Sequence, residues 1–415
     1  MLSILKEFKN RGGLWFFSSG IFDKLIRVCL TFFLIDFLTK GEYSLWSLAL
    51  VISSTFMPIK SLGIESGILQ YASGLSERLK QQLFKYVFYK GLLYALGFTL
   101  ICLSTTYFIK PEFSESKPLL YILSLWLPLY FLFELILNYS RVIKNHKVYA
   151  KIQSTYNITF VICIVLGFIS FRTLGLAWAF TLSPLITFLI FIPDFLKAET
   201  INWEPLDFRP KDIIWYGFKT SFSNYASTLL FNMDVWIIEY YFNSKEDLAE
   251  YRTATAIPLN LSFFAIMYIN NDYVHLVEHK EDRSYLKSYL KKYFKIYSIF
   301  TLICLLIFYP FSNLWWETIL FSGKYVESKP IFETLLFAAV FVILLRIPAG
   351  NMLSAVGLVH INTNISYLTV ILNLIISISL LPSLGLQGIA YGTVISFGIS
   401  GCLAFWYLLK YLNKK

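Results

Sequence analysis

Stretches of about 20 residues with little or no charge recur from one end of the chain to the other, separated by short polar segments. Each is long enough for an α-helix to cross a hydrocarbon core about 30 Å thick. The pattern predicts twelve spans, near 14–38, 44–64, 87–109, 119–140, 152–171, 174–195, 213–242, 254–275, 294–314, 331–355, 362–382 and 388–411. The opening "MLSILKEFKNRGG" carries Lys6, Lys9 and Arg11 but no small-residue cleavage site after a short apolar run. It reads as the approach to a retained first span, with Met1 as the start of the mature chain.

Composition makes the pattern a class. Hydrophobic residues supply 57% of the chain and charged residues only 15%, with a mean hydropathy of +0.60; soluble domains carry roughly 25% charge. The chain therefore reads as an all-α polytopic membrane protein. An N-terminus in the cytoplasm leaves Lys40, Lys110, Lys117, Arg172, Lys245, Arg252, Lys324 and Lys329 outside. Most of the other basic residues fall in inner loops or at inner span ends, densest in "RVIKNHKVYAK" and "EHKEDRSYLKSYLKKYFK". That asymmetry predicts both termini inside a cytoplasmic membrane. The net charge of +10 then faces anionic membrane lipid, and no nucleic-acid partner is expected. Cys29, Cys102, Cys163, Cys304 and Cys402 all lie in apolar spans without paired spacing, as small packing residues.

The chain repeats itself. "ESKPLLYILSL" from Glu115 returns as "ESKPIFETLLF" from Glu327, and "FTLICL" from Phe98 returns from Phe300. Asn138, Gly175 and Ala177 meet Asn351, Gly388 and Ala390 at a constant offset, and "FLTKGEYSLWSLA" faces "FNSKEDLAEYRTATA" with Tyr43 and Tyr251 in register. Collinear matches in one order indicate a half-chain duplication. The expected organisation is two six-helix lobes, residues 1–205 and 206–415. Six is even, so the halves share one orientation and a pseudo-twofold axis along the membrane normal, as in parallel-repeat transporters that rock about a midplane site.

Polar residues inside spans are the candidate chemistry, because an ionisable group at bilayer depth costs about 2.5–3.5 kcal/mol to insert. In the first span Asp23 and Arg27 are four apart on one helical face and Lys24 lies about 100° round, giving two cations to one carboxylate. A structural ion pair and a cavity-lining cationic site are both compatible with that arrangement. Arg346 has no carboxylate at helical spacing and is expected to face a cavity or Glu134 of the fourth span. The seventh span places Lys219, Ser223, Ser227 and Asp234 on one half of its helix. Asp234 reads equally as an ion-coupling carboxylate or as the partner of a base. Glu239 and Asp36 lie toward outer span ends, where solvation accounts for them; Lys60 and Glu65 are expected to snorkel or pair locally. The candidate binding cations are thus Lys24, Arg27, Lys219 and Arg346, with Asp23, Glu134 and Asp234 as pairing or coupling carboxylates.

No catalytic constellation is expected. "HLVEH" gives His275, Glu278 and His279 an inverted-zincin spacing, but it opens a lysine-rich loop without a third ligand, so no metal site is assigned. Phosphate-cradling glycine loops and nucleophile elbows are missing outside the spans, and the longest connections, near 196–212 and 276–293, are too short for a catalytic domain. No cofactor is implied, and energy from nucleotide hydrolysis would have to come from another chain; an ion gradient, of H+ or Na+, or the lipid gradient itself is the expected source. The aromatic content of 19% offers faces on which sugar rings could stack, but Trp126, Trp203, Trp215, Trp315 and Trp316 sit near span ends, where an interfacial belt needs no ligand.

The stretch "LTKGEYSLWSLALVISSTFMPIKSLGIESGILQYAS" resembles the polysaccharide transporters, the repeat-unit flippases of the multidrug, oligosaccharidyl-lipid and polysaccharide exporter superfamily. The resemblance continues through "FNMDVWIIEYYF", "LFSGKYVESKP" and "LPSLGLQGIAYGTVIS". Ser44 departs from the glycine that often follows the tyrosine. The likeness implies a V of two six-helix lobes in a bacterial inner membrane. It further implies transfer of an undecaprenyl-pyrophosphate-linked oligosaccharide, an O-antigen or capsule repeat unit, from inner to outer leaflet, alongside a polymerase and chain-length regulator. Lys24, Arg27, Lys219 and Arg346 would then hold pyrophosphate or acidic sugars. The alternatives are an ion-coupled multidrug antiporter of the same superfamily, favoured by carboxylates in excess, and a membrane polysaccharide polymerase, disfavoured by short outer loops.

Overall fold

The computed structural model describes residues 13–72, 75–143, 145–195, 210–319 and 323–413. Lys6, Lys9, Arg11, Trp203, most of the 196–212 connection and the 205/206 boundary lie outside the described residues. What is described is mainly helical: α1 (Gly13–Phe37), α2 (Lys40–Phe56), α3 (Ile64–Tyr71), α4 (Glu77–Ser104), α5 (Lys117–Ser124), α6 (Trp126–Val142) and α7 (His146–Phe195). Then follow α8 (Pro210–Tyr241), α9 (Lys245–Glu278), α10 (Arg283–Phe308), α11 (Lys329–Phe341), α12 (Ile347–Ala355), α13 (Val359–Leu384) and α14 (Leu386–Leu412). A π-helical turn, Val342–Arg346, joins α11 to α12. Among the described residues, 8 helical stretches are long and apolar enough to cross a membrane. The protein is a polytopic helical membrane protein.

Local chemistry sets the helix starts. Thr39 and Glu42 form a reciprocal capping box at α2, with Glu42 N–H on Thr39 Oγ1 at 3.2 Å and Thr39 N–H on Glu42 Oε2 at 2.9 Å. Ser76, Ser244 and Asp282 cap α4, α9 and α10 by accepting from Leu79, Asp247 and Tyr285. The duplicated "ESKP" has a local structure to match. In both copies a 3₁₀ turn leads in, and the serine closes it by donating to the carbonyl three residues back, Ser116 to Phe113 and Ser328 to Tyr325, each at 2.7 Å. Pro118 and Pro330 occupy the first helical turn, where no amide donor is needed.

The fifth and sixth predicted spans are the two helical arms of α7, which meet at Arg172 (φ 49°, ψ −123°). The chain doubles back there. The backbones of Gly167 and Gly175 touch, so that a Cβ on Gly175 would lie 1.8 Å from the Gly167 carbonyl oxygen. The second copy repeats the turn between α13 and α14, with Gly385 at φ 55°, ψ −136° and Gly388 against the Leu380 carbonyl. Only glycine adopts such a conformation without steric cost. Gly175→Ala is expected to force the two arms of α7 apart, at about 1–3 kcal/mol for overpacking, and to lower the thermal unfolding midpoint in detergent.

Packing divides the chain into two compact units, Met1–Thr31 with Leu45–Thr228, and Phe32–Ser44 with Leu229–Lys415. The changes of unit at residues 31 and 228 fall inside α1 and α8. A continuous helix can do this because its two ends meet different neighbours. The first unit has a core around Ile68, Phe84, Phe131, Phe133, Ile136 and Tyr139. In the second, α14 packs on α11, α12 and α13. Trp126 and Trp316, expected in an interfacial belt, are core residues instead, and Trp316 donates to Ser328 Oγ at 2.5 Å.

Candidate transport sites

In the first unit, α2 ends in a 3₁₀ turn and two successive left-handed residues, Leu62 (φ 52°) and Gly63 (φ 63°), before α3 begins. A Cβ at Gly63 would strike Ser221 Oγ and the Gly217 carbonyl of α8, so only glycine fits. This reversal folds Lys60 back over α3. Its ammonium lies 2.6 Å from Glu134 Oε2 on α6 and 3.5 Å from Glu65 Oε1, and donates to the Met57 carbonyl at 3.2 Å. The Lys60 and Glu65 side chains are buried, while Glu134 is one-third exposed. Ser61 Oγ also donates to Glu65 Oε2. One ammonium thus serves two carboxylates.

Tyr130 links this triad to α1, its ring 5.5 Å from the Lys60 ammonium and 6.3 Å from the ring of Tyr156. Arg27 donates from Nε to Asp23 Oδ2 at 3.0 Å and from Nη2 to both Asp23 Oδ1 and the Tyr156 hydroxyl at 3.3 Å. Its guanidinium stands 5.5 Å from the Phe160 ring. Lys24, half-buried, directly follows Asp23 on the same turn of α1. The Asp23–Arg27 pair read from helical spacing is therefore present. The local pairing expected of Lys60 and Glu65 is present too, whereas the partners of Arg27 on α7 and the bond from Lys60 to Glu134 escaped sequence reasoning. The one available signal was the Pro58 and Gly63 flanking Lys60, which mark a chain reversal.

Lys219 on α8 is exposed, with its ammonium 5.2 Å from the Trp215 ring. It does not share an environment with Asp234. The two are 15 residues apart, about 22 Å of helix rise, and lie in different units. Asp234 is buried in the second unit, where Tyr251 and Thr393 hydroxyls donate to Oδ2, the latter at 3.0 Å. Thr393 Oγ1 in turn accepts from Asn373 Nδ2 at 3.1 Å, and Asn373 also reaches Ser396 at 3.3 Å and Ser377 at 3.4 Å. Asp234 Oδ1 is buried with no hydrogen-bond partner. No ion pair to Asp234 occurs among the described residues. A desolvated carboxylate oxygen left open in this way costs free energy unless a proton or cation fills it.

Arg346 closes the π-helical turn of the second unit. Nη1 donates to Asn362 Oδ1 and Nη2 to Ser366 Oγ, both at 2.7 Å, and Asn362 donates on to Ser354 at 3.1 Å. Gly350 makes the room, since a Cβ there would lie 2.2 Å from Nη1. The guanidinium has neutral acceptors and no carboxylate among the described residues. Glu134, its expected alternative partner, is held by Lys60. Glu239, expected at a solvated end, is buried. In "HLVEH", His275 meets Glu278 at 3.2 Å and His279 stacks on Tyr285 at 4.3 Å.

At the loop end of α1 a second-unit cluster holds residues 32–44 in place. Lys324 donates to the carbonyls of Ile35 at 3.0 Å, Asp36 at 3.3 Å and Leu38, capping the helix C-terminus with positive charge. Lys40 pairs with Glu250, and both lysines lie over Tyr325, at 5.3 and 5.1 Å.

Comparison with solved structures decides the fold. The lipid II flippase MurJ in an inward-closed conformation superposes with a TM-score of 0.74 and 17% identity, over 95% of this chain and 87% of that one. An inward-facing multidrug-resistance MATE family transporter of the MOP superfamily gives 0.71 and 13%, over 94% and 98%. The protein shares the fold of these two transporters. A MOP transporter of Pyrococcus furiosus, described with a reversed-polarity binding pocket that suggests a different function, also has the fold, with a TM-score of 0.57 and 15% identity over 100% and 94%. No protein-family model matches the chain. An uncharacterized membrane protein of Methanocaldococcus jannaschii is 28% identical over 234 residues, which is 54% of this chain and 44% of that protein. The alignment thus spans less than half the length of that relative.

Proposed function

We propose that this MOP-fold protein is a flippase that carries an undecaprenyl-pyrophosphate-linked oligosaccharide across the membrane by alternating access. The observation that carries the reading is Arg346, a guanidinium set in an apolar span among neutral acceptors only. Such a cation is suited to a pyrophosphate or an acidic sugar, because it does not have to break an ion pair to bind one. Its counterpart in the same unit is Asp234, a carboxylate among hydroxyls with one open oxygen. It would take the coupling ion, H+ or Na+. The charges of the first unit are closer to mutual compensation: Arg27 with Asp23, Lys60 with Glu65 and Glu134. In this reading they hold that unit's helices together, and Lys24 adds cationic character for the cargo.

The multidrug antiporter shares the fold and could use Asp234 for a cationic drug. Ethidium efflux from cells expressing the protein separates the readings: none above background is expected, and robust efflux would replace the flippase by the antiporter. Asp234→Asn is expected to make transport into proteoliposomes indifferent to imposed H+ and Na+ gradients, whereas the native protein responds to one of them. A native gradient response in the Asp234→Asn variant would remove Asp234 from coupling.

A further inference from the structure

A cleft of about 350 Å³ opens in the second unit where α10 ends and α11 and α14 begin. That is within the range of small-molecule sites, roughly 300–1,000 Å³. Three aromatic side chains line it and are each about two-fifths exposed or more: Tyr309 (45%), Phe337 (44%) and Tyr391 (41%). Glu333, Thr334 and Gln387 supply its polar groups.

Two of those groups have acceptor capacity to spare. Gln387 Nε2 donates to the Pro330 carbonyl at 3.2 Å and to Thr334 Oγ1 at 2.5 Å, which fixes the amide, yet its Oε1 is buried and accepts nothing. Glu333 Oε1 accepts from Ser312 at 2.6 Å and lies 3.7 Å from Lys329, so the second oxygen remains open. The Gln387 oxygen is covered, whereas the Glu333 side chain is about one-quarter exposed and is the acceptor that a ligand in the cleft would meet.

An interfacial aromatic belt would explain the rings but not the carboxylate and amide between them. The internal repeat is the control. Under the sequence register of the two halves, Glu333, Thr334 and Phe337 match Tyr121, Ile122 and Leu125, while Gln387 and Tyr391 match Leu174 and Trp178. The first half builds the same serine-closed turn before the ESKP helix and the same tight reversal without any of the polar groups. The fold does not require them.

We infer that this cleft is a saccharide-binding site. A pyranose ring offers an apolar face to tyrosine or phenylalanine and hydroxyl donors at its rim, the complement of exposed rings beside the accessible carboxylate of Glu333. Phosphate is a poor fit, because Glu333 would repel it. The inference stands apart from the flippase reading, since a sugar can bind here whether or not it is transported.

The test is a glycan array of neutral, amino and acidic oligosaccharides, probed with fluorescently labelled protein in lipid nanodiscs so that no glycoside detergent competes. The native protein is expected to bind a subset of glycans. Tyr391→Ala and the conservative Glu333→Gln, which keeps an acceptor for Ser312, should each weaken that binding about tenfold or more. Trp406→Leu, at an exposed tryptophan outside the cleft, should bind like the native protein, and unchanged thermal unfolding of Glu333→Gln shows that the fold is intact. Absence of glycan binding, binding untouched by both cleft variants, or equal loss in Trp406→Leu would each overturn the assignment.

Discussion

Arg346→Gln is expected to reduce export of the lipid-linked saccharide by about 10- to 100-fold while the protein stays in the membrane at native abundance. The magnitude follows from the loss of charge-assisted hydrogen bonds to an anionic cargo, about 1.5–3 kcal/mol. Glutamine keeps a donor for Asn362 or Ser366, the two partners of the guanidinium, so the helices should stay joined. Gly350→Ala provides an independent approach, because its Cβ would intrude 2.2 Å from Nη1 and 2.9 Å from Asn362 Oδ1. It displaces the cation without deleting it and should lower export in the same direction. Quantitative immunoblots of the membrane fraction beside the export assay check both, and normal export by Arg346→Gln would exclude the arginine from cargo recognition.

Lys60→Ala is expected to have the largest effect on stability. It would leave Glu65 buried and Glu134 partly buried with no cation between them, and removing one partner of a buried pair costs about 3–5 kcal/mol. The variant should therefore accumulate poorly and unfold at a markedly lower temperature in detergent. Neutralising the orphaned acids in the same chain, as Lys60→Met with Glu65→Gln and Glu134→Gln, should restore most of the loss, because a neutral set no longer holds uncompensated charge. A single Lys60→Ala variant that melts with the native protein would show that the triad contributes no net stability. Failure of the triple variant to recover would mean that the contacts depend on the charges themselves.

The membrane class and most of the helices were legible because span length and low charge are properties of contiguous sequence. The Asp23–Arg27 pair was legible for the same reason: four residues on one helix fix its geometry. The turns at Arg172 and Gly385 fall at matching places in the two copies, as the register of Gly175 with Gly388 implied. The local Lys60–Glu65 pair was expected, but the bond from Lys60 to Glu134 was not legible, since it depends on the reversal at Leu62 and Gly63 and on a partner 74 residues away. The surroundings of Asp234 were hidden likewise, with Thr393 supplied from 159 residues along the chain. A helical wheel placed Lys219 and Asp234 on one stripe correctly by angle. It carried no information about height, and the length of α8 puts them with different neighbours.

Arg346 and Asp234 are a cation and an anion set within helices of the second unit, neither with an ion-pair partner among the described residues, and the flippase account rests on Arg346. Its most direct test is the sidedness of the undecaprenyl-pyrophosphate-linked repeat unit, read by membrane-impermeant sugar labelling of spheroplasts with and without the protein. The account predicts that lipid-linked units accumulate on the inner leaflet only when the protein is absent, and that Arg346→Gln reproduces the accumulation. Unchanged sidedness, with unpolymerised units building up outside, would contradict it and point to polymerisation instead.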